Sequence, residues 1–121
     1  MSLFPPTKWA QREDSLFVTL DVPDVDPKLC SISLGPKTLN FKGKSGTKDY
    51  EVKYDLFDEI DDQSNETKWV VKPRNVSFYL KKKEAKWWGR LLENAKIQKA
   101  HVKVDFDKWK DEDEEDAKDF G

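Results

Sequence analysis

Residues 49–56, Asp-Tyr-Glu-Val-Lys-Tyr-Asp-Leu, alternate without a break between charged and apolar side chains. Tyr50, Val52, Tyr54 and Leu56 fall on one side of an extended chain; Asp49, Glu51, Lys53 and Asp55 fall on the other. A helix would scatter these positions around its circumference, whereas a strand with one dry and one wet face sorts them. The same period recurs along the chain. Leu16, Val18, Leu20 and Val22 alternate with Phe17, Thr19 and Asp21, and Cys30, Ile32 and Leu34 with Ser31 and Ser33. Leu39 and Phe41 alternate with Thr38, Asn40 and Lys42, Val76, Phe78 and Leu80 with Ser77, Tyr79 and Lys81, and Val102 and Val104 with Lys103 and Asp105.

Turn-forming residues punctuate these runs: Glu13-Asp14-Ser15, Pro23 to Pro27, Gly35-Pro36, Gly43 to Gly46, Asp58 to Glu66 and Pro73-Arg74-Asn75. The pattern predicts eight strands, near 8–12, 16–22, 29–34, 37–43, 47–57, 68–72, 75–82 and 101–105. Short strands at this spacing predict an all-β fold, a compact antiparallel β-sandwich. No helix of ordinary length is predicted, and Lys86 to Asn94 has room for one helical turn around Trp87-Trp88-Gly89-Arg90.

At 121 residues the chain is long enough for one domain, and its 38% charged and 36% hydrophobic residues leave it a thin core. The 12% aromatic share, with five Trp and seven Phe, argues for a folded chain over most of the length. The predicted division is a sandwich over 1–110 and a disordered acidic tail over 111–121, where apolar residues are scarce. A single cysteine, Cys30, excludes an internal disulfide and suits an intracellular protein, expected in the cytoplasm with the nucleus as a second compartment. Neither a secretory leader nor an apolar run long enough for a bilayer is evident, so no membrane association is expected.

The net charge of −2 conceals a strong asymmetry. Residues 105–121 carry nine acids and three lysines, whereas residues 72–103 carry ten bases against Glu84 and Glu93. A basic stretch therefore leads into an acidic tail. Such a tail competes with phosphates for the same lysines, which argues against nucleic acid as a partner.

Catalytic chemistry has little to build on. His101, the one histidine, lies in a predicted strand between Lys99 and Lys103, without partners for a triad or a zinc site. Cys30 shares parity with Ile32 and Leu34 and reads as a core residue. The five glycines form no phosphate-binding loop, and Asp58, Asp61 and Asp62 lack the glycine and glutamate spacing of a calcium loop. No enzyme activity, metal or cofactor is expected.

The informative residues lie near the C-terminus. Trp87-Trp88-Gly89-Arg90-Leu91-Leu92 is followed by Val102-Lys103-Val104-Asp105-Phe106-Asp107-Lys108-Trp109-Lys110-Asp111, and Lys8-Trp9-Ala10-Gln11-Arg12 stands at the front. Taken together these segments resemble the CS-domain family, and within it the 23-kilodalton co-chaperones of the 90-kilodalton heat-shock chaperone. That family carries a Trp-Pro-Arg-Leu signature and a Val-Asp-Phe-x-x-Trp-Lys-Asp run before an acidic tail. This chain departs from it with Gly89 where proline is usual.

Adjacent Trp87 and Trp88 cannot both enter one strand-packed core, so one is expected inside and one over a sheet edge. Phe106 and Trp109 stand among charges, and the residues alone leave open whether they close the sandwich or anchor a partner. The resemblance implies the anchor role, with the aromatics entering an apolar patch on the chaperone's nucleotide-binding domain. It places Trp88 at the signature position that frames the contact. Arg90, Lys96, Lys99 and Lys103 lie near the anchors and would steer an acidic partner.

The function so implied is binding: a monomeric co-chaperone that docks on the ATP-bound closed chaperone dimer, slows ATP hydrolysis and stabilises client complexes, with passive holding of unfolded chains as an addition. The alternative is a CS-domain adaptor of another type, nuclear-movement-like or related to the cytosolic domain of acyl-CoA dehydratases, which share a double-Trp signature. The prostaglandin synthase activity assigned to some co-chaperones rests on a tyrosine after the first-strand Trp, and that position here is Ala10.

Overall fold

The computed structural model describes residues 3–105. Eight strands form two sheets: β1 Thr7–Gln11, β2 Ser15–Leu20, β3 Ser31–Gly35, β4 Thr38–Ser45, β5 Lys48–Asp55, β6 Lys68–Val71, β7 Val76–Lys81 and β8 Val102–Val104. One sheet has the order β6-β7-β2-β1-β8 and the other β3-β4-β5. The predicted strands are all present, with ends displaced by a residue or two.

The alternation explains the layering. Leu16, Val18 and Leu20 of β2 and Val76, Phe78 and Leu80 of β7 turn inward and are buried, as are Leu39, Phe41, Val52 and Tyr54 of the smaller sheet. Phe17, Tyr79 and Lys81 turn outward in matching register, with Phe17 opposite Tyr79. Two-residue turns set that register in the smaller sheet. Gly46, at φ 61, supplies the left-handed residue between Ser45 and Lys48, where a side chain would be strained.

Two predicted features are corrected. β8 runs parallel to β1, pairing Thr7 with Val102 and Trp9 with Val104, so the larger sheet is mixed rather than antiparallel. β7 and β8 therefore point the same way in one sheet, and such an arrangement needs a long crossover, here the 82–101 connection. The second correction lies inside that crossover. A helix, α1 Ala95–His101, follows Lys86–Asn94, which forms no helical turn of its own. Asn94 caps α1, its side-chain oxygen accepting from the N–H groups of Lys96 at 2.9 Å and Ile97 at 3.2 Å. No residue of α1 is buried, which is why apolar periodicity could not reveal it.

A buried hydrogen bond joins the sheets: Tyr54 Oη and Thr7 Oγ1 lie 2.6 Å apart, and Thr7 Oγ1 donates to the Pro5 carbonyl. Burial raises the Tyr54 phenol to about 12, against the smaller opposing effect of its Thr7 hydrogen bond. A raised folded-state value means the contribution is fully present below the ordinary value of 10 and is lost as pH climbs toward 12. Ionising the phenol inside the fold therefore costs about 3 kcal/mol, the equivalent of that rise. In an alkaline titration followed by phenolate absorbance, one tyrosine is expected to ionise only near that upper limit, together with loss of the fold. Ionisation of Tyr54 with a midpoint near the ordinary value of 10 and the fold intact would contradict the assignment.

Candidate functional site

The signature segment is an extended strip that closes one end of the sandwich. Gln11, at the end of β1, holds its centre. Gln11 Nε2 donates to the Trp88 carbonyl at 2.8 Å, and Gln11 Oε1 accepts from the Trp88 N–H at 2.9 Å. One primary amide thus satisfies both backbone groups of a buried residue, as a neighbouring strand would. Further along, the Phe57 N–H donates to the Leu91 carbonyl and the Glu93 N–H to the Asp55 carbonyl, tying the strip to the end of β5. Gln98 of α1 completes the hold, its side-chain oxygen accepting from both Leu91 and Leu92 N–H groups.

Beneath the strip lies Lys82, only 3% exposed. Its ammonium donates to Gln11 Oε1 at 2.9 Å, to the Arg12 carbonyl at 2.7 Å and to the Lys86 carbonyl. It also stands 5.5 Å and 5.8 Å from the ring centres of Trp87 and Trp88. An ion pair fastens the outside of the strip, with Lys86 Nζ 2.6 Å from Asp58. Lys86 holds the Asp58 carboxyl below the usual carboxylate range, chiefly through this hydrogen bond.

The predicted site residues fall into three groups. Trp88 is 3% exposed and packs 5.9 Å from Phe57, so it is the core member of the Trp pair and shapes the surface from behind rather than offering contact area. Trp87 is the half-buried member. Arg90 is also committed locally. Its guanidinium donates to the carbonyls of Leu92 and Glu93, both at 2.7 Å, and lies 5.0 Å from the Phe57 ring. These bonds brace the strip, while the guanidinium keeps its positive charge at a half-exposed position. Lys96 and Lys99, by contrast, are exposed on α1, and Lys103 is exposed on β8. Phe106 and Trp109, the expected anchors, lie outside the described residues, as do the proposed tail and the 110/111 boundary.

His101 ends α1 rather than lying in a strand, and its ring stacks on Phe4 at 3.8 Å. Cys30 is half-buried against the core. Among the described residues no group of His, Cys, Asp or Glu is arranged to hold a metal ion. No helix of the described residues is long and apolar enough to cross a membrane.

Gln11, Lys82 and Gln98 escaped the sequence reading. For the first two a signal was present: Gln11 shares parity with Trp9, and Lys82 with Leu80, so both fall on the inward side of their strands. A polar residue at a buried parity requires partners, and here each supplies them to the strip.

A two-sheet sandwich of this topology, closed by a Trp-Gly-Arg-Leu strip, is a CS-type domain. The CS-domain family pattern matches residues 5–82, more than half of the chain, and the chain belongs to that family. It is 41% identical over 119 residues to a Brassica napus protein named co-chaperone protein p23-1, covering 96% of this chain and 65% of that one. It is 32% identical over 114 residues to a bovine very-long-chain (3R)-3-hydroxyacyl-CoA dehydratase 3, covering 91% of this chain but 30% of that protein. Among solved structures, the CS domain of the human KIAA1068 protein superposes with a TM-score of 0.61 at 24% identity, covering 71% of each chain, a likeness of fold. The chain thus spans less than two thirds of the length of these curated relatives.

Proposed function

We propose that the chain acts as a co-chaperone that binds the 90-kilodalton heat-shock chaperone in its ATP-bound closed state. By favouring that state it would slow ATP hydrolysis and prolong the hold on client proteins, a population shift driven by differential affinity. The observation that carries this reading is the match to the Brassica napus co-chaperone, whose 96% coverage of the chain includes the strip and the cationic edge. In this reading Lys96, Lys99 and Lys103 steer the encounter, Trp88 and Arg90 hold the strip in shape, and Phe106 and Trp109 supply the apolar anchors. The role is binding without catalysis, by a monomer that needs no cofactor, in the cytoplasm and nucleus.

The test is affinity for the purified chaperone with a non-hydrolysable ATP analogue and with ADP. Strong binding is expected with the analogue and weak binding with ADP. Trp109→Ala is expected to weaken the analogue-state complex by more than about 2 kcal/mol with an unchanged melting transition. Lys96→Glu with Lys99→Glu is expected to slow association, an effect that fades as salt rises. Equal affinity in the two nucleotide states would remove the population-shift mechanism. The bovine dehydratase match supports a second reading, a CS module of another adaptor type, and that reading expects no nucleotide dependence.

A further inference from the structure

β6 is the outer strand of the larger sheet, at the far side from β8 and α1. The Lys72 N–H donates to the Asn75 carbonyl, which fixes the phase of its ladder with β7. By antiparallel alternation Val70 and Lys68 also turn their backbone groups toward β7, while Trp69 and Val71 turn theirs outward. Among the described residues no backbone hydrogen bond between loops or strands reaches that outer side. Two N–H and two C=O groups therefore face out from an edge.

The side chains around this edge are apolar on both faces of the strand. Val70 is 50% exposed on the outer face, beside a groove of about 230 Å³ floored by Phe17 and Tyr79. Trp69, 42% exposed, and Val71 line a cleft of about 430 Å³ on the other side, opposite Pro27, Cys30 and Ile32. Lys68 and Lys72 border the outer groove, and neither has an ion-pair partner among the described residues. The nearest acid along the chain, Glu66, is paired with Lys81 at 3.4 Å.

We propose that β6 is a docking edge for an extended segment of another protein, apolar at its centre and acidic at its ends. Such a segment would add a sixth strand. Its backbone would bond to Trp69 and Val71, its alternate side chains would enter the groove and the cleft, and its flanking carboxylates would meet Lys68 and Lys72. A second copy of this chain fits poorly. Antiparallel pairing of two β6 strands about Val70 would set Lys68 opposite Lys72, like charge against like. Because β6 and β8 lie at opposite sides of the sheet, this edge stays open when the α1–β8 side is engaged.

The probe is a synthetic peptide of alternating valine and isoleucine with two glutamates at each end. Two controls accompany it: the same peptide N-methylated at alternate residues, and one with lysines replacing the glutamates. Saturable binding is expected, with the Trp69 and Val71 amide protons exchanging about tenfold more slowly in the complex. Each control is expected to bind about tenfold more weakly or worse. In the exposed double variant Lys68→Glu with Lys72→Glu, the lysine-ended peptide should become the tighter ligand. Lack of saturable binding, indifference to N-methylation, or protection confined to the α1–β8 side would overturn the proposal. Dimerisation of the chain alone with the same amides protected would assign the edge to a second copy and overturn it equally.

Discussion

Replacing Trp88 by alanine is expected to remove about 3–5 kcal/mol of folding stability, the range for truncating a large buried aromatic. That is a large share of the roughly 5–15 kcal/mol that holds a domain together. The side chain is 3% exposed, and Phe57 and the Lys82 ammonium both lie against it. The backbone at position 88 would stay clamped by Gln11, so the cavity cannot close by letting the strip slide inward. Trp87→Ala is the internal control: its half-exposed ring should cost about 1 kcal/mol. Urea unfolding of both variants, with the slope checked against wild type, reads the difference. Similar losses at the two positions would mean that the strip does not distinguish an inner from an outer tryptophan. Any effect of Trp88→Ala on chaperone binding must then be measured in the folded fraction, because the residue has almost no surface to give a partner.

The sandwich was legible because period-two alternation reports directly which side chains face the core. Tyr50, Val52, Tyr54 and Leu56 face inward as their spacing required. The direction of β8 was not legible. Val102 and Val104 alternate in the same way whether the strand runs with or against β1, and only the length of the 82–101 connection carries that information. Helix α1 was hidden for a different reason. Its residues are polar or exposed throughout, and it is held by a cap at Asn94 and by Gln98 reaching back to the strip. At the site, Lys96 and Lys99 are exposed, since a cation without a buried partner stays in water. The bracing role of Arg90 was not legible, because charge and spacing do not show that a guanidinium closes its own loop on backbone carbonyls.

Lys82→Met is expected to destabilise the domain by about 2–3 kcal/mol even though it removes a buried charge, a change that can be neutral or favourable elsewhere. The methionine keeps the apolar stem under Trp87 and Trp88, so packing is nearly conserved. What it removes is the donor that the Arg12 and Lys86 carbonyls and Gln11 Oε1 share. Gln11 Oε1 retains the Trp88 N–H, but the two part-buried carbonyls lose this bond. Because those carbonyls belong to the β1–β2 turn and to the start of the strip, the loss should be local as well as global. Hydrogen exchange at residues 86–88 is expected to speed up well before the β2 and β7 amides respond. Lys82→Arg should not rescue the site: a planar fork cannot aim three protons at three converging acceptors as an ammonium does. A methionine variant within about 0.5 kcal/mol of wild type, the ordinary range for surface substitutions, would show that the charge costs as much to bury as its hydrogen bonds return. The strip would then be held by Gln11, Gln98 and its backbone bonds to Asp55 and Phe57, without a net contribution from Lys82.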